Sequence, residues 1–288
     1  MKHYVIGLFF LVLSKCKYHL AKYTPKPIDR VDDCINYDFS VVSQWEEHAS
    51  KYFPNYSIQD KTILELGPGA DLGIATILLS KGAESYYAFD IHDLVKNVQP
   101  DFYEKLIDKI AERSDSQDTL PPDLLDTVLT YSRTGEGKIN YICKNTIDFS
   151  EIKDRQIDVV FSQAAFEHLD NPQQALSLLS TKCKSGSILV AQVDLKSHSR
   201  WVRSNDPLNI YKYNDFLYNL LSHKASPNRV RPSQYQSILK DNGWGDIQII
   251  TVKSAVEPYL TTARKYIQKE FLDDHIASLS IMILARKK

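Results

Sequence analysis

The sequence predicts a doubly wound α/β fold, in which a mostly parallel sheet is covered by helices on both faces. Two observations carry this prediction. From Thr62 onward, apolar runs of strand length alternate with helical patterns, and the runs are continuous in Val, Ile and Leu. Continuous apolar strands separated by helices are typical of parallel sheets buried on both faces.

Seven segments are expected to form strands. The first five are TILEL, SYYAFD, KINYICK, IDVVFS and SILVAQVD, at 62–66, 85–90, 138–144, 157–162 and 187–194. The last two are DIQIITV and LSIMILAR, at 246–252 and 279–286. Helices are expected near residues 73–82, 101–113 and 171–183.

Two spans depart from this alternation of strands and helices. Residues 91–137 are longer than one crossover needs, and residues 195–240 are rich in His, Arg, Trp, Asn and Pro. Both spans leave the carboxyl ends of strands, where open parallel sheets bind ligands. We predict an N-terminal helical extension over 1–57 and one domain over 58–288. The two spans are predicted to be helical cap insertions that wall an acceptor pocket.

The composition narrows the class of partner. The chain has 288 residues, of which 43% are hydrophobic and 25% charged, with a formal net charge of −1. These values are typical of globular proteins, and a near-neutral charge gives no global attraction to nucleic acid. No nucleic-acid partner is therefore expected. The four cysteines form no CxxC pair, which argues against zinc or disulfide frameworks and fits a reducing, cytoplasmic compartment.

The N-terminus is consistent with three interpretations. The stretch YVIGLFFLVL at 4–13 is apolar and has lysines on both sides. It is shorter than the roughly 20 residues that span a bilayer. It fits a helix packed on the domain or on a partner, or a basic segment at 4–22 that touches a membrane. It also fits a cleaved secretory signal, although lysines crowd the expected cleavage position.

The stretch TILELGPGADLG, residues 62–73, contains a glycine turn after the first predicted strand. A dinucleotide-binding turn needs Gly-x-Gly-x-x-Gly, but Leu72 stands at the place of the last glycine. Glu65 ends the strand, where an acid repels a pyrophosphate but suits a ligand that carries an ammonium and a sulfonium. Asp90 ends the next strand, where a carboxylate accepts hydrogen bonds from ribose hydroxyls.

This combination of an acid, a Gly-x-Gly turn and a second-strand acid resembles the class I S-adenosylmethionine-dependent methyltransferases over about residues 58–195. The resemblance implies a Rossmann-like, seven-stranded sheet with an antiparallel last strand, and S-adenosylmethionine as the cofactor. The residues that it implies for cofactor binding are Glu65, Gly67, Gly69, Asp71, Asp90, Ile91, Asn145 and Gln163.

The resemblance also implies a role for most of these residues. Glu65 holds the methionine amino group, and the two glycines, Gly67 and Gly69, let the methionine chain lie against backbone. Asp90 binds the ribose, and Ile91 lies beside the adenine.

Two positions depart from the family pattern, and a third follows the fourth strand. Asn145, expected near the adenine amino group, stands where the family more often has Asp. Asp71 replaces the usual third glycine, so that its side chain narrows the methionine site. Gln163 begins a segment that the resemblance places behind the methionine end of the cofactor.

The predicted reaction is methyl transfer to an oxygen, with an exposed amine as the alternative, on a small molecule or a sugar or glycan. Motifs for methylating nucleobase amines and pyrimidine C5 are absent from the sequence. The acids Asp158 and Asp194 do not form the acidic cluster of metal-dependent enzymes, so no metal is predicted. Transfer then needs positioning of the acceptor and a base for its hydroxyl. The candidate bases are His168, His198 and Asp194.

Two loops, at 197–213 and 226–232, interleave arginines with aromatic residues. They are predicted to stack a sugar on Trp201 and to bind phosphate, or else to be solvated loops. The arginines in question are Arg200, Arg203, Arg229 and Arg231. The pattern resembles methyltransferases of bacterial surface-polysaccharide gene clusters, which implies a nucleotide-linked or lipid-linked sugar acceptor. A catalytically silent binding module and a methyltransferase of RNA or protein are the alternative functions.

Overall fold

The chain forms two compact units. The computed structural model describes residues 2–20, 30–113, 123–134, 137–272 and 275–288. The first unit comprises residues 1–24, 164–176 and 192–283, and the second comprises 25–163, 177–191 and 284–288.

The strands form one seven-stranded sheet. They are β1 (Thr62–Leu66), β2 (Ser85–Asp90), β3 (Ile139–Cys143), β4 (Ile157–Gln163), β5 (Cys183–Asp194), β6 (Trp244–Ser254) and β7 (Ser278–Lys287). Their order is β3-β2-β1-β4-β5-β7-β6. The first four pair in parallel, with Thr62 opposite Ser85 and Ile63 opposite Val159. The sheet is mostly parallel with antiparallel last strands, which confirms the predicted fold class.

The strand positions match the apolar runs closely. The start of β5 differs most, because the strand begins at Cys183 and the apolar run begins at Ser187. Residues 184–186 are polar or glycine and are exposed, so their backbone extends the strand without burying apolar side chains. Hydrophobic patterning therefore gives no signal for this part of the strand.

The α-helices of the described residues surround this sheet in the chain order. They are α1 (Lys2–Leu20), α2 (Val31–Tyr52), α3 (Gly73–Ser80), α4 (Pro100–Arg113), α5 (Leu124–Thr134), α6 (Pro172–Lys182), α7 (Arg200–Asn205), α8 (Asp215–Leu221), α9 (Pro232–Asp241) and α10 (Tyr259–Arg264).

Helix α2 belongs to the core of the second unit. Its buried residues recur at helical spacing, and Trp45 stacks on Phe161 of β4 with ring centroids 4.6 Å apart. This apolar stripe is the pattern that places one helix face against a sheet. One member of the stripe is an acid, Asp38, which the packing therefore buries.

The predicted extension and insertions contain several of these helices. Residues 1–57 contain α1, in the first unit, and α2, in the second. The span 91–137 contains α4 and α5, which pack on α3. The span 195–240 contains α7, α8 and α9. The domain boundary at residues 57/58 and the role of both spans as a cap stay predictions.

Helix α1 packs on the first unit through a close contact at Gly7. A Cβ at that position would collide with the side chains of Asn209 and Tyr213, so only glycine fits. The Asn209 amide donates to the His3 carbonyl and the Tyr213 hydroxyl donates to the Tyr4 carbonyl, each over 3.0 Å. None of the described helices is long and apolar enough to cross a bilayer. Residues 21–22 of the predicted membrane-touching segment lie outside the described residues.

Candidate functional site

A pocket of about 380 Å³ lies within the second unit, at the carboxyl ends of β1 and β4. Five of the residues predicted to bind the cofactor line it, namely Glu65, Gly67, Gly69, Asp71 and Gln163. A larger and more open cavity, about 760 Å³, touches the opposite ends of the strands at Thr62 and Ser85. Parallel sheets bind ligands at their carboxyl ends, so the smaller pocket is the candidate site.

The glycine turn forms the floor of this pocket. Both Gly67 and Gly69 have left-handed backbone angles, with φ of 78° and 80°. Such angles are favourable for glycine and strained for other residues. The Gly67 N–H donates to the Phe89 carbonyl over 2.9 Å, which ties the turn to the end of β2. No atom lies within 4 Å of the place where a Cβ of Gly69 would be, so a ligand can approach the backbone there.

Glu65, at the end of β1, is completely buried beside the turn. One carboxylate oxygen, Oε2, accepts a 2.7 Å hydrogen bond from the Tyr86 hydroxyl. The other, Oε1, has no hydrogen-bond partner among the described residues. Burial raises the pKa of Glu65 to about 8, although the Tyr86 hydrogen bond opposes the shift. A cation bound in the pocket would favour the ionised carboxylate.

Two further acids, Asp38 and Asp71, line the same pocket. The Asp71 carboxylate accepts a 2.9 Å hydrogen bond from the Gly73 N–H at the start of α3. The pKa of Asp38 is raised by its burial and by the neighbouring charges of Asp71 and Glu65. Burial also raises the pKa of Asp71. The sequence analysis did not identify Asp38, and its signal was an acid within the apolar stripe of α2.

Three buried oxygen atoms in the pocket lack hydrogen-bond partners among the described residues. They are Asp38 Oδ2, Glu65 Oε1 and Gln163 Oε1. Buried polar atoms are nearly always paired, so three such acceptors in one pocket indicate a ligand that donates hydrogen bonds or carries positive charge. The ammonium and sulfonium of S-adenosylmethionine fit this requirement, and a pyrophosphate does not.

The other predicted cofactor residues lie beyond this pocket. The Asp90 carboxylate accepts hydrogen bonds from the backbone N–H groups of His92, over 2.8 Å, and of Gly69. Burial nevertheless raises the pKa of Asp90. Ile91 is half-buried next to it, and Asn145 is exposed after β3. These three residues are therefore placed at the ends of β2 and β3, and their predicted contacts with ribose and adenine stay predictions.

The three candidate bases belong to the first unit. Asp194 accepts a 2.6 Å hydrogen bond from the Arg203 guanidinium and a 3.0 Å hydrogen bond from the Lys196 N–H. The rings of His168 and His198 lie 4.8 Å apart, edge to face. His198 Nδ1 is 3.0 Å from the Lys196 carbonyl oxygen, and burial lowers the pKa of the His198 imidazole.

Glu167 was missed by the sequence analysis. It is 2% exposed, and a ligand-type atom of each of Glu167, His168 and His198 lies within 4.8 Å of the others. Neither carboxylate oxygen accepts a hydrogen bond of normal geometry from the described residues. Burial raises the pKa of Glu167 to about 8, opposed by nearby backbone N–H groups of Glu167 and Asp194. The sequence signal for this residue was its place directly before His168.

The loop at 226–232 fixes the turn that carries these residues. The Asn228 side chain donates to the carbonyl oxygens of Phe166 and Leu169, over 2.8 and 3.1 Å. The Asn228 N–H donates to the Glu167 carbonyl over 2.7 Å, and the Tyr235 hydroxyl donates to Phe166 over 3.2 Å. The loop thus positions Glu167 and His168 through backbone contacts, a role that the sequence analysis did not assign to it.

Two arginines that were predicted to bind phosphate are buried inside the first unit. Arg229 donates to the carbonyl oxygens of Ile210 and Tyr213 and pairs with Asp215. Arg231 is 1% exposed and donates to the carbonyl of His275. Since both guanidinium groups are directed at protein partners, we do not retain them as acceptor-binding residues.

The remaining predicted acceptor residues lie around α7. Arg203 is partly exposed and pairs with Asp194. Trp201 packs against α1, with its ring stacked on Phe10 at 6.1 Å and edge to face with His3 at 5.8 Å. One face of the indole is therefore already covered by protein. The side chain of Arg200 lies outside the described part of the chain.

Comparison with known proteins identifies the family. A family model described as a methyltransferase domain matches residues 41–249. A search of curated proteins gave no match to this chain. Among solved structures, one similar protein is phosphoethanolamine N-methyltransferase 2 of Haemonchus contortus in complex with S-adenosyl-L-methionine. The identity is 14%, the match covers 88% of this chain and 52% of that chain, and the TM-score is 0.48.

Two further solved structures are similar along nearly their whole length. An S-adenosylmethionine-dependent methyltransferase of Mesorhizobium loti is 11% identical, with 84% of this chain and 96% of that chain covered and a TM-score of 0.46. One of Archaeoglobus fulgidus is 17% identical, with 86% and 94% covered and a TM-score of 0.46. The family match spans most of the chain and confirms the resemblance found in the sequence. The chain belongs to the methyltransferase-domain family and is an S-adenosylmethionine-dependent methyltransferase.

Proposed function

We propose that the enzyme transfers the methyl group to an oxygen of a small molecule or of a sugar or glycan. The observation that supports an oxygen acceptor is the arrangement of Glu167, His168 and His198, here called the histidine cluster. Hydroxyl groups are poor nucleophiles until they lose a proton, so an oxygen methyltransferase needs a group that assists deprotonation.

The hydrogen bonding of His198 suits this role. A carbonyl oxygen only accepts hydrogen bonds, so Nδ1, 3.0 Å from the Lys196 carbonyl, carries the proton. The neutral ring then presents Nε2 with a lone pair, which can accept a proton or bind a Lewis acid. Asp194 is the weaker candidate for a base, because its carboxylate is already paired with Arg203.

The cofactor pocket supplies the other half of the reaction. Glu65 Oε1 and Asp38 Oδ2 are proposed to hold the ammonium of S-adenosylmethionine, and Asp90 is proposed to hold the ribose. The bound cofactor provides the methyl group: the S–CH₃ bond breaks as the O–CH₃ bond forms, and the electron pair remains on sulfur. The chain continues from Gln163, which lines this pocket, into the turn of the histidine cluster five residues later.

The proposal is tested by measuring S-adenosylhomocysteine release with panels of hydroxyl and amine acceptors. We expect turnover with a hydroxyl acceptor, a loss of at least about tenfold in His168→Ala or His198→Ala, and unchanged cofactor binding in both. His48→Ala, a partly exposed histidine in α2, is the matched control. Full activity in both cluster variants would overturn the role of the cluster, and turnover with amines alone would overturn the oxygen acceptor.

The sugar or glycan acceptor is supported by Arg203. Of the four arginines predicted to contact the acceptor, it has a partly exposed side chain that is fixed by an ion pair with Asp194. An oriented guanidinium is suited to bind a phosphate or a sugar hydroxyl. We expect Arg203→Glu to raise the KM for a nucleotide-linked or lipid-linked sugar, and the exposed Arg264→Glu to leave it unchanged. An unaltered KM in Arg203→Glu would remove this support.

We further propose that α1 contacts an anionic membrane surface. One face of the helix packs on the first unit, and large apolar side chains on the rest are exposed, with Val5 at 60%, Phe9 at 62% and Leu20 at 87%. The helix contains Lys2, Lys15 and Lys17 and no acid. Apolar side chains combined with basic residues are typical of helices that lie in the interface of a bilayer.

Sedimentation with lipid vesicles tests this contact. We expect the protein to sediment with vesicles of phosphatidylcholine and phosphatidylglycerol, and to do so less in high salt. Phe9→Asp should reduce the bound fraction severalfold, while Val256→Asp, which changes an equally exposed residue, should not. The idea fails if the wild-type protein stays in the supernatant, or if Phe9→Asp sediments as well as the wild type.

A further inference from the structure

We propose that Glu167, His168 and His198 bind one divalent transition-metal ion, with Zn²⁺ as the representative ion. The sequence analysis predicted no metal because the acids after the strands do not cluster. The structure instead brings together two imidazoles and one carboxylate, with one ligand-type atom of each within 4.8 Å of the others. The catalytic role of this ion rests on the proposed oxygen acceptor, whereas its binding can be measured independently.

The donor set matches known classes of metal site. Two histidines and one carboxylate leave coordination positions open, as in catalytic zinc sites and in non-haem iron sites. With bonds of about 2.0–2.2 Å, ligand atoms of a tetrahedral zinc ion lie roughly 3.4 Å apart. The three side chains therefore have to approach one another by at most about 1.4 Å, which small rotations about their side-chain bonds can provide.

Glu167 provides an independent reason to expect a cation. Its side chain is nearly completely buried, and neither carboxylate oxygen accepts a hydrogen bond of normal geometry from the described residues. Arg203 and Lys196, the nearby cations, are paired with Asp194. A buried carboxylate without a counter-charge is unfavourable, and a bound metal ion would compensate it directly.

The groups around the cluster hold the ligands in place. The Lys196 carbonyl accepts the hydrogen bond from His198 Nδ1 and so leaves Nε2 for the metal, which is the usual way a ligating histidine is oriented. Asn228 and Tyr235 fix the backbone of the turn that carries Glu167 and His168. A ligand set on a fixed turn needs little reorganisation when the ion binds.

A metal at this place would also explain how the acceptor is activated. An acceptor hydroxyl bound at an open coordination position has a lower pKa, because the ion stabilises the alkoxide. The hydroxyl proton passes to solvent, and the oxygen then attacks the methyl carbon. His168 and His198 would act as ligands in this step, and their removal would abolish turnover without affecting cofactor binding.

The experiment uses the full chain, purified without a histidine tag and freed of metal by a chelator. Zn²⁺ is titrated in competition with a chromophoric chelator, and Co²⁺ is added separately to record its visible spectrum. We expect one equivalent of Zn²⁺ per chain and Co²⁺ bands of a site with nitrogen and oxygen ligands. Glu167→Gln and His198→Ala should weaken Zn²⁺ binding at least about tenfold, and His48→Ala should not.

Binding of S-adenosylmethionine by each variant serves as the check that it is folded. The metal site is overturned if the folded wild-type protein binds no Zn²⁺, or if Glu167→Gln and His198→Ala both bind it as the wild type does. Full activity after metal removal would overturn the catalytic role of the ion and leave oxygen methylation intact. Stoichiometric Zn²⁺ binding with amine acceptors alone would support the site and contradict the proposed function.

Discussion

The Tyr86 hydroxyl donates a 2.7 Å hydrogen bond to the Glu65 carboxylate, and both side chains are buried. This contact joins the carboxyl end of β1 to the start of β2, and it occupies only one of the two carboxylate oxygens. The second oxygen belongs to the lining of the pocket. Glu65 is thereby oriented by the protein and still able to bind a cationic ligand.

Replacing Glu65 by glutamine is expected to weaken cofactor binding. Glu65→Gln retains the shape and removes the charge that would face the ammonium. A charge-assisted hydrogen bond contributes about 1.5–3 kcal/mol, so the Kd values for S-adenosylmethionine and S-adenosylhomocysteine should rise roughly 10- to 100-fold. Calorimetric titration measures both. Glu46→Gln, which changes an acid paired with Lys81 on α2, is the control, and equal affinities in the two variants would contradict the role of Glu65.

Cofactor binding is expected to release a proton near pH 6.5. Burial raises the pKa of Glu65 from 4.5 to about 8, so the carboxyl group is protonated at this pH and must ionise to pair with an ammonium. Affinity should therefore rise between pH 6 and pH 7. Titrations in two buffers with different ionisation enthalpies give the number of protons released. We expect up to one proton for the wild type and a smaller number for Glu65→Gln; equal numbers would contradict this linkage.

The same group predicts how stability depends on pH without cofactor. Below pH 4.5 Glu65 is protonated in both the folded and the unfolded state. Between pH 4.5 and about 8 the unfolded state releases this proton and the folded state keeps it, so the free energy of unfolding falls as pH rises. Urea unfolding at several pH values tests this. The slope in this window should be less steep for Glu65→Gln, and an unchanged slope would contradict the raised pKa.

Gly73 is expected to be intolerant of a side chain. A Cβ at this position would collide with the Asp38 carboxylate, so Gly73→Ala must displace a residue that lines the pocket. Overpacking of this kind costs about 1–3 kcal/mol. In unfolding measurements, Asp38→Ala should recover part of the stability that Gly73→Ala loses, which a double-mutant cycle detects as coupling. Additive effects would show that the two residues do not press on one another.

Asn228 is expected to affect turnover but not cofactor binding. Asn228→Ala leaves the carbonyl oxygens of Phe166 and Leu169 without their side-chain donor, which costs about 1–3 kcal/mol and loosens the turn of the histidine cluster. We expect a lower kcat with an unchanged Kd for S-adenosylmethionine. Asn205→Ala, which removes an exposed amide donor to the Trp201 carbonyl, should retain both values. A normal kcat in Asn228→Ala would separate the loop from the chemistry.

The cofactor half of the site could be predicted largely from the sequence. Glu65, the glycine turn and Asp90 lie on consecutive elements, at positions that strand length and turn chemistry define locally. The acceptor half could not be predicted in the same way. Arg229 and Arg231 occur in a polar, proline-containing loop, and nothing in that loop indicates that the carbonyl groups of Ile210, Tyr213 and His275 will surround them.

The sequence by itself determined the order of the strands and helices, the acid and the glycines that end β1, and the cofactor class. These features depend on apolar periodicity and on backbone conformations that a few adjacent residues specify. Only the tertiary structure decided that Asp38 faces the pocket, that Glu167 joins two histidines, and that Asn228 holds a turn 62 residues earlier in the chain. Such contacts depend on which side chains share a buried space, and the spacing of residues along a chain does not specify that.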